Sequence, residues 1–271
     1  MRNDEAFANA KYIPGGADYY GRWQENAARF CAALGPRAVM HRPYGTGKRN
    51  WFNLFLPPEA PLGTVIFIHG GYWLETGPDD YSHLAAGALA RGWAVAMPGY
   101  TQAPENRISA ITAEIAASLP VIAAEAIGPI LVTGHSAGGH LTARMAQIDH
   151  APEVTARLEE VTARLEGFVP ISPISDLRPL METSMNADLG LDRAEAWAES
   201  PALGVRPAKR RVHVWVGGAE RPAFLDQARR LGNAWSCPVT VEAGRHHFDV
   251  IEGMETPDSP LMQTLFSLVR V

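Results

Sequence analysis

A chain of 271 residues with 46% hydrophobic and 20% charged side chains has the make-up of a globular protein with a sizeable core, which excludes a disordered or fibrous chain. A net charge of −5 lacks the basic face that nucleic acid or an anionic membrane demands, so neither is expected as a partner. No apolar run approaches the roughly 20 residues of a membrane span, and "MRNDEAFANAKY" lacks the apolar core of a secretion signal, so a cytoplasmic location is expected.

In chain order, residues 1–36 are polar and aromatic, with "YIPGGADYYGRW" at their centre; they are expected to form an arm over the sheet or near a pocket. Short apolar runs then predict strands at Ala38–Arg42, Trp51–Leu56, Thr64–His69, Ala94–Pro98, Ile130–Gly134, Gly167–Ile171, Val212–Gly217 and Pro238–Ala243. Between them, amphipathic segments predict helices at Tyr81–Arg91, Ile108–Ile127, Ala137–Ile148, Arg193–Glu199, Ala223–Trp235 and Pro260–Val269. Such alternation gives an α/β fold, a mostly parallel eight-stranded sheet with helices on both faces. "TVIFIHGG" and "PILVTGHS" are continuously apolar, as central strands buried on both faces should be.

"VTARLEEVTARLE" (Val154–Glu166) repeats at a seven-residue step and is expected as a surface helix before the sixth strand. No linker marks a second domain, so 1–271 reads as one domain with insertions at 150–166 and 175–200. Cys31 and Cys237 form no metal or redox motif and are expected as reduced thiols.

Gly134-His135-Ser136-Ala137-Gly138 comes after a predicted buried strand and opens a predicted helix. Gly-x-Ser-x-Gly in that context is a nucleophile elbow: the turn is so sharp that side chains two residues either side of the serine would collide with it. A serine hydroxyl needs a base and an orienting acid, which come later in the chain in the order acid, then histidine. Of nine histidines, only "GRHHFDV" lies in a loop between the last strand and the last helix. His246 and His247 compete there; His247 is favoured because Phe248 can anchor it. Glu220, in "VGGAERPAF" just past the seventh strand, is the expected acid, with Asp176 in "ISPISDLRPL" as its rival.

"VIFIHGGYWLETG" places His-Gly-Gly after the third strand, where backbone N–H groups can face a developing oxyanion. The expected donors are Gly71, Tyr72 and Ala137. Trp73 and His135 are the candidates to wall a substrate pocket. "GHSAGG" lacks the Gly-x-Gly-x-x-Gly of dinucleotide binding, and no metal-ligand cluster is visible, so no cofactor and no metal is expected.

These residues resemble the kynurenine formamidase (arylformamidase) branch of the α/β-hydrolase fold. The match is carried by His69-Gly70-Gly71-Tyr72-Trp73, Gly134–His140, "SDLRPLMETSMNADLGLD" (Ser175–Asp192), "VGGAERPAF" with "HHF", and "ETPDSPL". The resemblance implies Ser136 as nucleophile, His247 as base and the acid at Glu220, where the family usually has Asp. It implies a small-molecule substrate, an aryl formamide such as N-formylkynurenine. A carboxylesterase for short-chain esters is the alternative, and the last helix or an edge strand leaves room for a homodimer.

Overall fold

The structure, a computed structural model, describes residues 3–125, 128–148, 161–207 and 210–270. Its strands are β1 (Ala38–Pro43), β2 (Trp51–Phe55), β3 (Thr64–Ile68), β4 (Ala94–Pro98), β5 (Ile130–His135), β6 (Leu165–Ile171), β7 (Arg211–Val212), β8 (Val214–Gly217) and β9 (Val239–Glu242). They join in the order β1-β2-β4-β3-β5-β6-β8-β9, with β7 beside β6. The β1–β2 and β2–β4 pairs are antiparallel, and every pair from β4 through β9 is parallel.

The described sheet has nine strands where eight were predicted, because Val212–Gly217 is interrupted at His213. The cause lies across the ladder. The Phe168 carbonyl accepts from His213 N–H at 3.0 Å, and the N–H of Ser172, just past β6, donates to the Trp215 carbonyl at 2.7 Å, so alternate residues along this stretch address this neighbour. Pro170 stands between them in that series and has no N–H to give.

Successive side chains of the central strands enter two separate cores. Ile66, Ile68, Ile130 and Val132 meet the helices over Ile108–Glu125, Ala137–Ala146 and Pro222–Trp235. Val65, Phe67, Leu131 and Val169 meet the helices over Tyr19–Leu34 and Pro260–Phe266. Burial on both faces is why these strands read as unbroken apolar runs.

Ile108–Glu125 is long and apolar enough, by length and composition, to cross a membrane. In the fold it is a core helix whose Ile108, Ile111, Ile115, Leu119 and Ile122 are wholly buried against the sheet.

Of the N-terminal stretch expected as an arm, residues 3–36 hold more order than the sequence suggested. A 16-residue helix spans Tyr19–Leu34 and buries Tyr19, Trp23 and Ala27, one residue per turn on one face. Burying each large side chain of that kind contributes about 1.5–3 kcal/mol. The helix packs on a 3-10 segment over Pro78–Ala85, which replaces the first half of the helix predicted at Tyr81–Arg91; the α-helical part is Ala86–Ala90. Most of the repeat at Val154–Glu166 lies outside the described residues. Its described end is helical only to Arg164, and Leu165, buried, already begins β6 two residues before the predicted start.

Candidate active site

Strands β3, β5, β6 and β8 end along one edge of the sheet, and the loops leaving them converge there. Residue Ile68 pairs with Gly134, and His135 pairs with Ile171, so these ends are level. Ligand sites of parallel sheets form outside such carboxyl ends.

Ser136 sits at φ +57°, ψ −113°, outside the regions open to L-residues, and the helix Ala137–Ala146 starts immediately after it. Such a conformation costs on the order of 1–3 kcal/mol and persists only where neighbours enforce it. The enforcement is visible. Ser136 N–H donates to Ile171 at 2.9 Å, and the Ser136 carbonyl accepts from His140 N–H at 2.9 Å. A Cβ on Gly134 would come within 2.5 Å of the Gly138 carbonyl oxygen, and one on Gly138 within 1.9 Å of the Ile68 oxygen. Only glycine permits this crossing.

The turn after β8 supplies Glu220, whose side chain has no exposure. Its Oε2 lies 2.6 Å from His247 Nδ1. Its Oε1 accepts from Ser172 Oγ at 2.5 Å and from Gly217 N–H at 2.8 Å. A carboxylate can only accept, so Nδ1 carries the ring proton and Nε2 is the basic nitrogen. The His247 ring packs against Phe224 (centroids 4.2 Å apart) and His135 (4.5 Å).

The rivals are engaged elsewhere. His246 Nδ1 accepts from the N–H groups of Phe248 and Asp249 at 3.2 Å, while Nε2 meets Tyr19 OH at 3.1 Å. Asp176 pairs with Arg178 at 2.8 Å and Arg230 at 3.6 Å. Burial pushes its carboxyl upward, but the Arg178 hydrogen bonds and the two guanidinium charges outweigh it and hold the group below its usual range. This cluster stabilises the loop after β6.

In the loop after β3, a Cβ on Gly70 would lie 2.9 Å from the His135 oxygen and 3.3 Å from Ser136 Cβ, so this loop abuts the elbow. Gly71 takes φ +93° and Tyr72 φ +52°. The N–H groups of Gly71, Tyr72 and Ala137 have no hydrogen-bond acceptor among the described residues. The Gly70 carbonyl is held by Thr76 Oγ1 at 3.1 Å and Tyr100 OH at 3.3 Å.

Trp73 does not wall the pocket as expected. At φ +61° the chain turns it inward, where it is wholly buried edge-on to His140 at 5.1 Å. His135 does line the cavity, almost fully buried, with neither ring nitrogen in a hydrogen bond of normal geometry. Burial first, then the neighbouring His247, holds it well below the usual histidine pKa, so its ring is neutral.

Ser136, His247, His135, Gly71 and Tyr72 open onto one cavity of about 420 Å³. Its remaining walls come largely from parts of the chain with no readable code: Phe7, Asn9, Tyr20 and Trp23 from the N-terminal residues, and Phe248 beside His247. The crowd of aromatics in "YYGRW" was the signal available. Tyr72 ties the two halves together, donating its hydroxyl to the Phe7 carbonyl at 2.5 Å and accepting from Asn9 Nδ2 at 3.2 Å. The carboxylates lining the cavity are those of Asp4 and Glu75.

A family model described as the α/β-hydrolase fold matches residues 65–246. The chain belongs to the α/β-hydrolase family, and it is a hydrolase. A kynurenine formamidase of Danio rerio is 26% identical over 249 residues, covering 86% of this chain and 82% of that protein. The crystal structure of a candidate thioesterase from Silicibacter sp. TM1040 is 48% identical, with a TM-score of 0.93 over 98% of this chain and 99% of that one. Esterase B from Lactobacillus rhamnosis, at 20% identity and a TM-score of 0.65 over 93% and 94% of the two chains, shares the fold.

Proposed function

We propose that the chain removes the formyl group from N-formyl-L-kynurenine or a similar aryl formamide through an acyl-enzyme on Ser136. The observation that carries this reading is the shared cavity: a strained serine, and an imidazole whose Nδ1 is fixed 2.6 Å from a buried carboxylate, line the same aromatic-walled space. The likeness to kynurenine formamidases over 86% of the chain supports the substrate class.

In the first half-reaction Ser136 Oγ attacks the formyl carbon while His247 Nε2 takes its proton. The carbonyl electron pair moves onto oxygen, where the N–H groups of Gly71, Tyr72 and Ala137 stabilise it. Collapse breaks the C–N bond as His247 returns the proton to the departing aniline nitrogen, leaving a formyl ester on Ser136. Water, deprotonated by His247, then releases formate and restores the hydroxyl. Glu220 keeps the imidazole in the required tautomer and stabilises it when charged. No cofactor enters these steps. At the rim, Glu75 suits an ammonium group on the substrate better than a free anion.

Short-chain ester hydrolysis is the second reading, favoured by esterases among the proteins that share the fold. The test is kcat/KM for N-formylkynurenine, formanilide, p-nitrophenyl acetate and butyrate, and a short acyl thioester, on wild type and Ser136→Ala. N-formylkynurenine is expected to lead. An ester or thioester ahead by orders of magnitude overturns the formamidase reading, and full activity in Ser136→Ala overturns the serine mechanism.

A further inference from the structure

We propose that Ser172 is a positioning residue that locks the Glu220 carboxylate against His247; the proposal rests on Glu220 and His247 acting as acid and base. Ser172 directly succeeds β6, is wholly buried, and holds φ +48°. Its N–H is committed to the Trp215 carbonyl at 2.7 Å, which fixes its backbone to the strand that delivers Glu220. From there the hydroxyl donates to Glu220 Oε1 at 2.5 Å, and such a donor holds a carboxylate more firmly than it would a neutral acceptor.

Two features argue that this hydroxyl serves the carboxylate and not the fold. A buried residue at that φ would be less strained as glycine, and the hydroxyl is what glycine would lack. Glutamate also has one more side-chain torsion than aspartate, so its carboxylate needs more restraint to present one oxygen to a ring. Ser172 Oγ and Gly217 N–H together hold Oε1, which fixes rotation about the last bond and leaves Oε2 on His247 Nδ1. One oxygen is anchored and the other works.

The experiment is a double-mutant cycle read as kcat and KM on both N-formylkynurenine and p-nitrophenyl acetate, with thermal unfolding of each variant. Ser172→Gly removes the hydroxyl while suiting the backbone. It is expected to lower kcat about tenfold with KM within about twofold and with unchanged or raised Tm. Ser172→Ala, which keeps the strain, is expected to show the same kcat loss. In a Glu220→Asp background the carboxylate is drawn back from Ser172, and the same Ser172→Gly change is expected to cost less than about twofold. Wild-type kcat in Ser172→Gly overturns the proposal, and so does an equal loss in both backgrounds, which would make the role structural. Glu220→Gln separates the two levels. Wild-type kcat there sinks the acid–base reading itself, whereas a large loss there beside a silent Ser172→Gly sinks only the positioning role.

Discussion

Strands β5 and β6 end side by side in nearly the same way. His135 pairs with Ile171, and each leads into a buried serine with positive φ, +57° at Ser136 and +48° at Ser172. The residues after each serine differ. Beyond Ser136 come Ala137, Gly138 and Gly139, small enough for a helix to start against the ends of β3 and β6 and with an N–H free at Ala137. Beyond Ser172 comes Pro173, which offers no N–H, and the hydroxyl turns to Glu220. Backbone strain alone therefore does not define a nucleophile; the next residues decide whether a strained serine faces substrate or serves a carboxylate.

That contrast can be broken at several points. Ser136→Ala is expected to lower kcat by about 10⁴-fold or more with little change in Tm, since only the attacking oxygen is lost. Glu220→Gln is expected to cost about 10³–10⁴-fold, because an amide can present its NH₂ to Nδ1 and favour the wrong tautomer. Asp176→Asn, which disturbs only the arginine cluster, should stay within about threefold in kcat; a larger loss than in Glu220→Gln would reverse the assignment of the acid. Gly138→Ala should lower kcat about 10²–10³-fold together with Tm, because its Cβ would stand 1.9 Å from the Ile68 oxygen and displace the Ala137 N–H from its place at the elbow.

Acid is expected to destabilise the fold through the buried histidines near the elbow. His69 and His140, on either side of the elbow, are buried and held at pKa values of about 4 and about 3, chiefly by desolvation. Both are neutral in the fold, and an unfolded histidine titrates near 6.5. Their folded pKa values lie below the unfolded value, so the unfolded chain binds the extra protons, and stability is full above about pH 6.5 and falls as pH drops toward 4 and then 3. Thermal unfolding at pH 7, 5.5 and 4.5 checks this, and a flat Tm across that range would contradict it.

The central strands of the sheet were legible because both of their faces are buried, which left unbroken apolar runs at the right lengths. The elbow, the His-Gly-Gly loop and the convergence of Glu220 and His247 beside Ser136 were legible because the proposed chemistry would constrain residue type and sequence order together. Other features depend on distant partners. The break at His213 results from Pro170 on the neighbouring strand, and the inward turn of Trp73 from three successive positive φ angles at Gly71, Tyr72 and Trp73. The helix over Tyr19–Leu34 was hidden by Gly21 and by the Gly15-Gly16 pair ahead of it, although Tyr19, Trp23 and Ala27 recur every fourth residue. The grip of Ser172 on Glu220 joins residues 48 apart, and no local pattern announces it.

The clasp between Tyr72 and the carbonyl of Phe7 has a practical corollary. Asp4 and Phe7 to Ala10 line the cavity, so trimming this stretch or fusing a bulky leader ahead of it is expected to change which molecules are accepted while the sheet and helices behind stay whole. A preparation altered at that end should melt like the intact enzyme yet rank a series of acyl donors differently.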